Sequence, residues 1–186
     1  MKFSFKHLTL KTWNDFETLF GDRGACGGCW CMSWRLKAAD FNKNKGVKNK
    51  NAMKKLVGMK EQIGILAYHQ REPVGWCSFA PREKFIRLNS SKVLSPVDSQ
   101  DVWSITCFYI KKEYRRKGLS AELLKAAIEF SKKKKVKILE GYPTVPYSEN
   151  IPAVFAWTGI PDSFEKAGFE EAARRSKARP IMRYYL

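Results

Sequence analysis

A basic turn between an apolar stretch and an amphipathic stretch carries the clearest chemical pattern in this sequence. Residues 108–120 read FYIKKEYRRKGLS, with three consecutive cations, Arg115, Arg116 and Lys117, directly before Gly118. A helix N-terminus presents N–H groups without intrahelical partners and the positive end of the helix dipole, and a glycine lets a bulky anion approach the backbone. A strand, a basic glycine turn and a helix in this order predict a binding site for a diphosphate group. The glycine spacing excludes the nucleoside-triphosphate loop and the dinucleotide fingerprint, which both need more than one glycine.

The same turn resembles the coenzyme A pyrophosphate loop of the GNAT acyltransferase superfamily, whose pattern is Arg/Gln-x-x-Gly-x-Gly/Ala. Arg115 and Gly118 match this pattern, and Ser120 stands where the family has Gly or Ala. Residues 164–169 (FEKAGF) are similar to the family's Tyr-x-x-x-Gly-Phe segment, with phenylalanine in the tyrosine position. Residues 29–35 (CWCMSWR) resemble the Cys-Trp-Cys-Met-x-Trp-Arg loop of one bacterial subgroup, and together the similar blocks cover nearly the whole chain.

The resemblance implies transfer of an acetyl group from acetyl-CoA to an amine, by direct attack of the amine in a ternary complex. The strand backbone would pair with the pantetheine arm as an added strand, and an N–H group near Phe108 would stabilise the oxyanion. The implied acceptor is a small-molecule or peptide amine, and a monomer or homodimer is expected. The residues expected to hold the coenzyme are Phe108, Tyr109, Ile110, Arg115, Arg116, Lys117, Gly118, Leu119 and Ser120.

Attack by an amine needs a base, and departure of the thiolate is helped by an acid. The family frequently uses the tyrosine of Tyr-x-x-x-Gly-Phe as that acid, but Phe164 has no proton to donate. Glu140 is the candidate base and Tyr142 the candidate acid, because they lie on or directly after the strand expected to flank the acyl group. The alternatives are a structural carboxylate paired with a nearby cation and a packed aromatic ring. A covalent route through Cys107 is not favoured, because a neutral buried thiol is inert.

A glycine and cysteine cluster, Cys26-Gly-Gly-Cys29-Trp-Cys31, predicts a structured loop with three interpretations. Cys-x-x-Cys is a common zinc half-site, but the second pair is missing, so no metal is predicted. Redox sensing is a second interpretation. The favoured interpretation is a loop that faces the acceptor, with Trp30 and Trp34 lining the acceptor pocket, because the resemblance places acceptor specificity in this part of the chain.

The elements that would position these residues follow from hydrophobic periodicity and turn signals. Helices are predicted at 12–20, near 53–59, at 119–132 and at 164–167, and strands at 63–68, 73–79, 102–110, 136–139 and 181–186. This order indicates a mixed α/β (α+β) sandwich. The resemblance implies a GNAT-like, mostly antiparallel central sheet, flanked by helices and splayed at the coenzyme strand. A single domain is expected over 1–186, with an acceptor-side segment at 1–60 and a core at 61–186 that contains the coenzyme motif, 102–132.

Positive charge is the remaining feature: 35 Lys+Arg against 18 Asp+Glu give the 186 residues a formal net charge of +17. Seven lysines lie between Phe41 and Lys60, so the alternative function is a basic nucleic-acid- or ribosome-binding module on a degenerate acyltransferase fold. No aromatic residue follows Phe41 among those lysines, so this segment offers no stacking to bases. No apolar run reaches the ~20 residues of a membrane span, and no secretory pattern is present, so a cytoplasmic protein with reduced thiols is expected.

Overall fold

A seven-stranded mixed sheet forms the centre of the computed structural model, which describes residues 1–148, 152 and 155–186. Its strands are β1 (Ser4–His7), β2 (Gly64–His69), β3 (Glu72–Pro81), β4 (Trp103–Ile110), β5 (Ile138–Gly141), β6 (Glu170–Arg174) and β7 (Pro180–Tyr185). Across the sheet they follow the order β1-β2-β3-β4-β5-β7-β6. Neighbouring strands are antiparallel except β4 and β5, which are parallel. The predicted mixed, mostly antiparallel sheet flanked by helices is confirmed.

Helices cover both faces of this sheet. Those in the described residues are α1 (Trp13–Phe20), α2 (Ala38–Lys43), α3 (Val47–Gly58), α4 (Ile86–Asn89), α5 (Leu119–Lys132) and α6 (Pro161–Glu165). Ile65 and Ala67 of β2 join the core formed with α5, whereas Leu66 between them joins the core formed with α1 and α3. Side chains alternate along a strand, so β2 supplies both cores in turn. None of the described helices combines the length and apolar character needed to cross a bilayer.

Several elements differ from the prediction. The sequence pattern does not predict α2, α4, β1 or β6, which are short and largely exposed. Helix α3 begins at Val47 rather than near residue 53, because Asn49 joins Met53 and Val57 on its buried face within a lysine-rich stretch. Helix α6 begins at Pro161, a favourable first helical position, rather than at residue 164. Strand β5 begins two residues later than predicted, at Ile138.

The sheet opens between its two parallel strands. Pairing of β4 with β5 runs from Trp103–Leu139 to Ile105–Gly141 and ends there, although β4 continues to Ile110. Gly141 has no side chain at this point, and a Cβ atom there would lie 2.1 Å from Cε1 of Phe164. The ring of Phe164 therefore fills the place beside β5 where the strand ends. The predicted splay at the coenzyme strand is present.

Candidate active site

The basic turn connects the open strand β4 to helix α5. Arg115 Nε donates a hydrogen bond of 2.8 Å to the carbonyl of Ile110, which fixes the beginning of the turn against the end of β4. Arg116 and Gly118 have φ values of 58° and 78°, so the chain reverses sharply before Leu119 begins the helix. A Cβ atom built on Gly118 would have no heavy atom within 4 Å, so this side of the turn is open. The first N–H groups of α5 have no intrahelical acceptor and lie at this open side.

Two open clefts flank the turn. One, of about 630 Å³, is lined by residues that include Lys117, Gly118, Lys125 and Lys166. The other, of about 570 Å³, is lined by residues on the opposite side of the turn: Glu72, Tyr109, Lys111, Lys112, Glu113, Tyr114 and Arg115. Cations therefore line both sides of a helix N-terminus, where the dipole adds positive potential. Glu72, Glu113 and Glu122 also line these clefts, and a pyrophosphate site at this turn stays a prediction.

The other predicted coenzyme residues differ in what their side chains do. Phe108 and Leu119 belong to the buried core beneath α5, and Tyr109 packs against Phe20 with ring centroids 5.4 Å apart. Ser120 Oγ lies 2.8 Å from Ser163 Oγ, so its hydroxyl faces α6. For the buried Phe108 and Leu119 only the backbone is available to a ligand, which is the use the resemblance implies for the strand, whereas Tyr109 also lines the second cleft.

Every second backbone N–H group of β4 points towards the opening of the sheet. Lys111 donates its N–H to Val74 of β3 at 3.0 Å, so strand alternation turns the N–H groups of Phe108 and Ile110 away from β3. Phe108 N–H donates a hydrogen bond of 2.6 Å to the carbonyl of Trp157. The Trp157 ring lies 5.7 Å from the ring of Trp34, centroid to centroid. A chain segment of the protein itself therefore occupies the position predicted for the acyl group.

Glu140, the predicted base, lies at the centre of a buried ionic network. Its Oε1 accepts hydrogen bonds from Arg82 Nη1 at 3.1 Å and from Tyr142 Oη at 2.7 Å. Its Oε2 accepts one from Arg183 Nε at 2.8 Å, and Arg183 also pairs with Asp98 at 2.6 Å. Two guanidinium groups thus balance two carboxylates. The alternative of a structural carboxylate has direct support in this geometry, and a role for Glu140 as base stays a prediction.

Tyr142, the predicted acid, belongs to the same network. Its hydroxyl accepts from Arg82 Nη1 at 2.6 Å, donates to Glu140 and lies 2.7 Å from Ser104 Oγ. Burial, together with the charge of Glu140, raises the pKa of Tyr142 far above its usual range. The hydroxyl proton is already donated to a carboxylate in this arrangement, and the predicted role of Tyr142 as acid is likewise untested.

The two predicted acceptor-side tryptophans occupy different environments. Trp30 is buried, stacks on Phe20 with centroids 5.7 Å apart and lies beneath Lys50, whose Nζ is 5.1 Å from the ring. Trp34 is partly exposed and faces Trp157, with the guanidinium carbon of Arg87 5.6 Å from its ring. Only Trp34 therefore lies beside the opening of the sheet, and Trp30 packs in the core against α1.

The three cysteines of the loop at 26–31 are buried to different extents. Cys26 is exposed, Cys29 is half-buried and Cys31 is buried, where it accepts a hydrogen bond of 3.2 Å from Trp76 Nε1. Burial raises the pKa of Cys29 above its usual value. No group of three or more His, Cys, Asp or Glu side chains among the described residues is arranged to hold a metal ion.

Three arginines of this region are not predicted by the sequence pattern. Arg82 and Arg183 hold Glu140, and Arg35 is buried in the cysteine loop. The sequence feature that indicates such partners is a charged residue inside an apolar strand. Glu140 follows Ile138 and Leu139, and Arg183 follows two apolar residues of β7. A charge in such a position needs a buried partner of opposite sign.

The chain matches the sequence model of a known protein family. A sequence model described as the acetyltransferase (GNAT) family matches residues 32–156. No curated protein matches the chain.

Solved structures resemble the chain over its full length. PaiA N-acetyltransferase from Thermoplasma acidophilum, in complex with coenzyme A, superposes with a TM-score of 0.57 at 14% identity, with 100% of both chains covered. A GNAT-family acetyltransferase from Streptococcus agalactiae gives a TM-score of 0.58 at 10% identity, with 99% and 95% covered. Aminoglycoside acetyltransferase AAC(6')-Ib in complex with coenzyme A gives 0.53 at 17% identity, with 99% and 95% covered. These similarities show a shared fold.

Proposed function

The chain belongs to the GNAT acetyltransferase family, and from this premise we propose that it transfers an acetyl group from acetyl-CoA to a primary amine of a small molecule or peptide. The observation that carries the proposal is the junction of β4 with α5. A basic turn with an open glycine lies at one end of a strand whose backbone edge, beyond its pairing with β5, faces the opening of the sheet. A molecule with a diphosphate at one end and a thioester at the end of an amide-containing arm fits this succession of sites.

Each part of the coenzyme has a group of this chain to bind it. The N–H groups at the start of α5, with Arg116, Lys117 and Gly118, would hold the pyrophosphate. The pantetheine amides would pair with the edge of β4 that β5 leaves unpaired beyond Ile105, as an added strand does. The acetyl oxygen would accept the N–H of Phe108, which stabilises the negative charge that develops there. The carbonyl of Trp157 must leave this N–H group before the acetyl group can bind.

The acceptor side is assigned to residues 1–60, whose helices α1 and α3 pack on the face of the sheet opposite α5. Trp34 would contact the acceptor beside the opening. Support for an amine acceptor comes from the aminoglycoside acetyltransferase neighbour, solved with kanamycin. A cytoplasmic location and membership of the subgroup with the cysteine loop remain part of the proposal.

The route predicted from the sequence is direct attack of a neutral amine on the thioester, with Glu140 accepting the proton and Tyr142 protonating the departing thiolate. Both groups sit in the network with Arg82 and Arg183. For Glu140 to accept a proton it must give up part of its pairing with two cations. This requirement makes the route directly testable.

Calorimetric titration with acetyl-CoA tests donor binding, and release of coenzyme A, followed with a thiol reagent over a panel of amines, tests transfer. We expect saturable binding, thermal stabilisation by acetyl-CoA and release of coenzyme A with at least one amine. Absence of acetyl-CoA binding, combined with RNA binding that weakens steeply as salt increases, would establish the binding-module alternative instead.

A further inference from the structure

Two partly buried arginines lie close to the paired rings of Trp34 and Trp157 at the opening of the sheet. Arg87 of α4 donates its backbone N–H to the carbonyl of Trp34 at 3.1 Å, and its guanidinium carbon lies 5.6 Å from the Trp34 ring. Arg179, in the connection between β6 and β7, donates to Oγ1 of Thr158, the residue after Trp157, at 3.0 Å. Two distant parts of the chain therefore bring positive charge to this opening.

Both guanidinium groups keep one edge free. Arg87 donates only through Nη1, to the carbonyl of Ser33 at 3.2 Å and to its hydroxyl at 3.1 Å. Arg179 also donates only through Nη1, to the carbonyl of Tyr142 and to the hydroxyl of Thr158, both at 3.0 Å. Within the described part of the chain, Nε and Nη2 of both arginines therefore have no acceptor.

The edge formed by Nε and Nη2 is suited to a carboxylate, because its two parallel N–H groups match the two carboxylate oxygens. Arg174 shows this pairing on the surface, where its Nε and Nη2 donate to the two oxygens of Glu171. Among the described residues, no carboxylate forms an ion pair with Arg87 or Arg179. A carboxylate supplied by a ligand would complete the pairing that the chain leaves open.

The carboxylates of the neighbouring buried network do not offset these two charges. Glu140 is held by Arg82 and Arg183, and Arg183 also holds Asp98. Two cations already balance two anions in that network, so neither carboxylate is left to pair with a further arginine.

A third arginine adds positive charge near the start of α4. Arg35 is 5% exposed, and its guanidinium carbon lies 4.6 Å from the ring of Phe85, the residue before this helix. Its Nε and Nη2 have no acceptor among the residues that the structure describes. Glu61, the carboxylate whose charge acts on Arg35, is itself paired with Lys84 at 3.3 Å. Because buried charge is poorly screened, Arg35 raises the positive potential around it.

We propose that the acceptor amine carries a carboxylate, as an amino acid does, and that Arg87 and Arg179 each offer a subsite for it, an inference that rests on the proposed function. The carboxylate binds the Nε–Nη2 edge of a guanidinium, and the apolar part of the acceptor packs on Trp34. The same positive charges disfavour polycationic amines, so the acceptor site selects by charge. Both arginines lie outside the segment that carries Trp157, so they stay in place when its carbonyl leaves Phe108.

Release of coenzyme A from acetyl-CoA, followed over matched pairs of amines, tests the proposal. L-Phenylalanine, glycine and β-alanine are each compared with their own amide, and spermidine serves as the polycation. We expect kcat/KM to be about tenfold or more higher for the acid than for its amide in at least one pair, because a hydrogen bond between charged groups outweighs a neutral one. Amidation lowers the pKa of the amine and so favours the amide chemically, which makes the comparison stringent.

Variants of the two arginines test the subsites themselves. The double variant Arg87→Gln, Arg179→Gln should lower the acid-to-amide ratio about tenfold or more through a higher KM for the acid, with the KM for acetyl-CoA unchanged. The single variants show the share of each subsite and apply the same criterion if the double variant does not fold. Arg87→Lys should retain part of the preference, because lysine keeps the charge without the fork.

Arg175→Gln is the matched control and should keep the wild-type ratio. Arg175 lies in the same connection as Arg179, is exposed and donates to the carbonyls of Ser95 and Pro96. A purely structural role of Arg87 and Arg179 would lower the thermal stability of their variants and leave the ratio unaltered. That result, equal kcat/KM for acids and amides, or preferred transfer to spermidine would overturn the carboxylate subsites and leave the proposed function standing. Failure of the wild-type protein to bind acetyl-CoA would remove both.

Discussion

The N–H group of Phe108 donates a hydrogen bond of 2.6 Å to the carbonyl of Trp157, at the point where β4 and β5 separate. The acetyl oxygen of acetyl-CoA is proposed to use the same donor. If it does, ligand and protein segment compete for one N–H group, and the affinity for acetyl-CoA should depend on how firmly residue 157 is held.

Trp157→Ala should strengthen acetyl-CoA binding. The contact between the Trp157 and Trp34 rings contributes about 0.5–1.5 kcal/mol to holding the segment, and its loss corresponds to a roughly 2–10-fold lower Kd. Calorimetry on both proteins measures the change. Phe155→Ala, an exposed ring in the same segment, should leave the affinity unaltered. Equal or weaker binding by Trp157→Ala would show that the segment does not compete.

Two substitutions at Gly118 should distinguish the effect of a negative charge on acetyl-CoA binding from the effect of backbone strain at this residue. Asn and Asp both tolerate the left-handed conformation of this residue and both can cap α5, so each variant should fold. Because like charges at ~4 Å repel by several kcal/mol near a protein surface, Gly118→Asp should bind acetyl-CoA about tenfold or more weakly than Gly118→Asn. Identical affinities of the two variants, measured by calorimetry, would place the pyrophosphate elsewhere.

Glu140→Gln should destabilise the fold strongly. The change leaves the guanidiniums of Arg82 and Arg183 without their shared carboxylate, and breaking a buried ion pair costs about 3–5 kcal/mol. Glu171→Gln, which removes an exposed carboxylate paired with Arg174, is the matched control and should cost no more than about 1 kcal/mol. Chemical denaturation measures both free energies of unfolding.

The same Glu140→Gln variant also tests its predicted role as base, at a temperature where it remains folded. An unchanged pH–rate profile and rate would exclude Glu140 as the base. Loss of transfer with a normal free energy of unfolding would contradict the structural role instead.

Asp98 should make stability depend on acid pH. Its hydrogen bonds with Arg183, and then with the backbone of Gln100, lower the Asp98 pKa to about 2. The pKa of Asp98 is lower in the folded state than in the unfolded state, where it is near 4, so the ionised carboxylate stabilises the fold above about pH 4. This stabilisation is lost as the pH falls towards 2. The stability difference between wild type and Asp98→Asn should therefore shrink over this range. The exposed Asp101→Asn control should show a smaller change, and a constant difference for Asp98→Asn would contradict the assignment.

The elements predicted correctly are those whose pattern is local. Strands β3 and β4 are continuous apolar runs, and α5 has a regular apolar face, so each is visible in a short window of sequence. Strands β1 and β6 lie at the edges of the sheet, where few side chains are buried, and they therefore lack that signal.

The same distinction applies to the candidate site. The basic turn at 115–120 is contiguous, so its glycine is visible in the sequence directly before the start of α5, and its role in binding coenzyme A stays a prediction. The partners of Glu140 lie 58 and 43 residues away in sequence, and Trp157 lies far beyond Phe108. Contacts of this kind depend on sheet order, which the periodicity of single strands does not specify. A charged residue inside an apolar strand, such as Glu140 or Arg183, is the sequence signal that indicates a buried partner of opposite charge.

The position of β7 also constrains how the protein is made on the ribosome. Strand β7 lies between β5 and β6 in the sheet, and Arg183, one of the two cations that hold Glu140, comes from it. During synthesis β5 emerges more than forty residues before that cation. Until residue 183 has left the exit tunnel, β5 is an uncovered edge with an incompletely paired carboxylate, a surface that invites pairing with other nascent chains. Folding of this half of the sheet must therefore wait for the last strand, whereas the hairpin of β2 and β3 can form early.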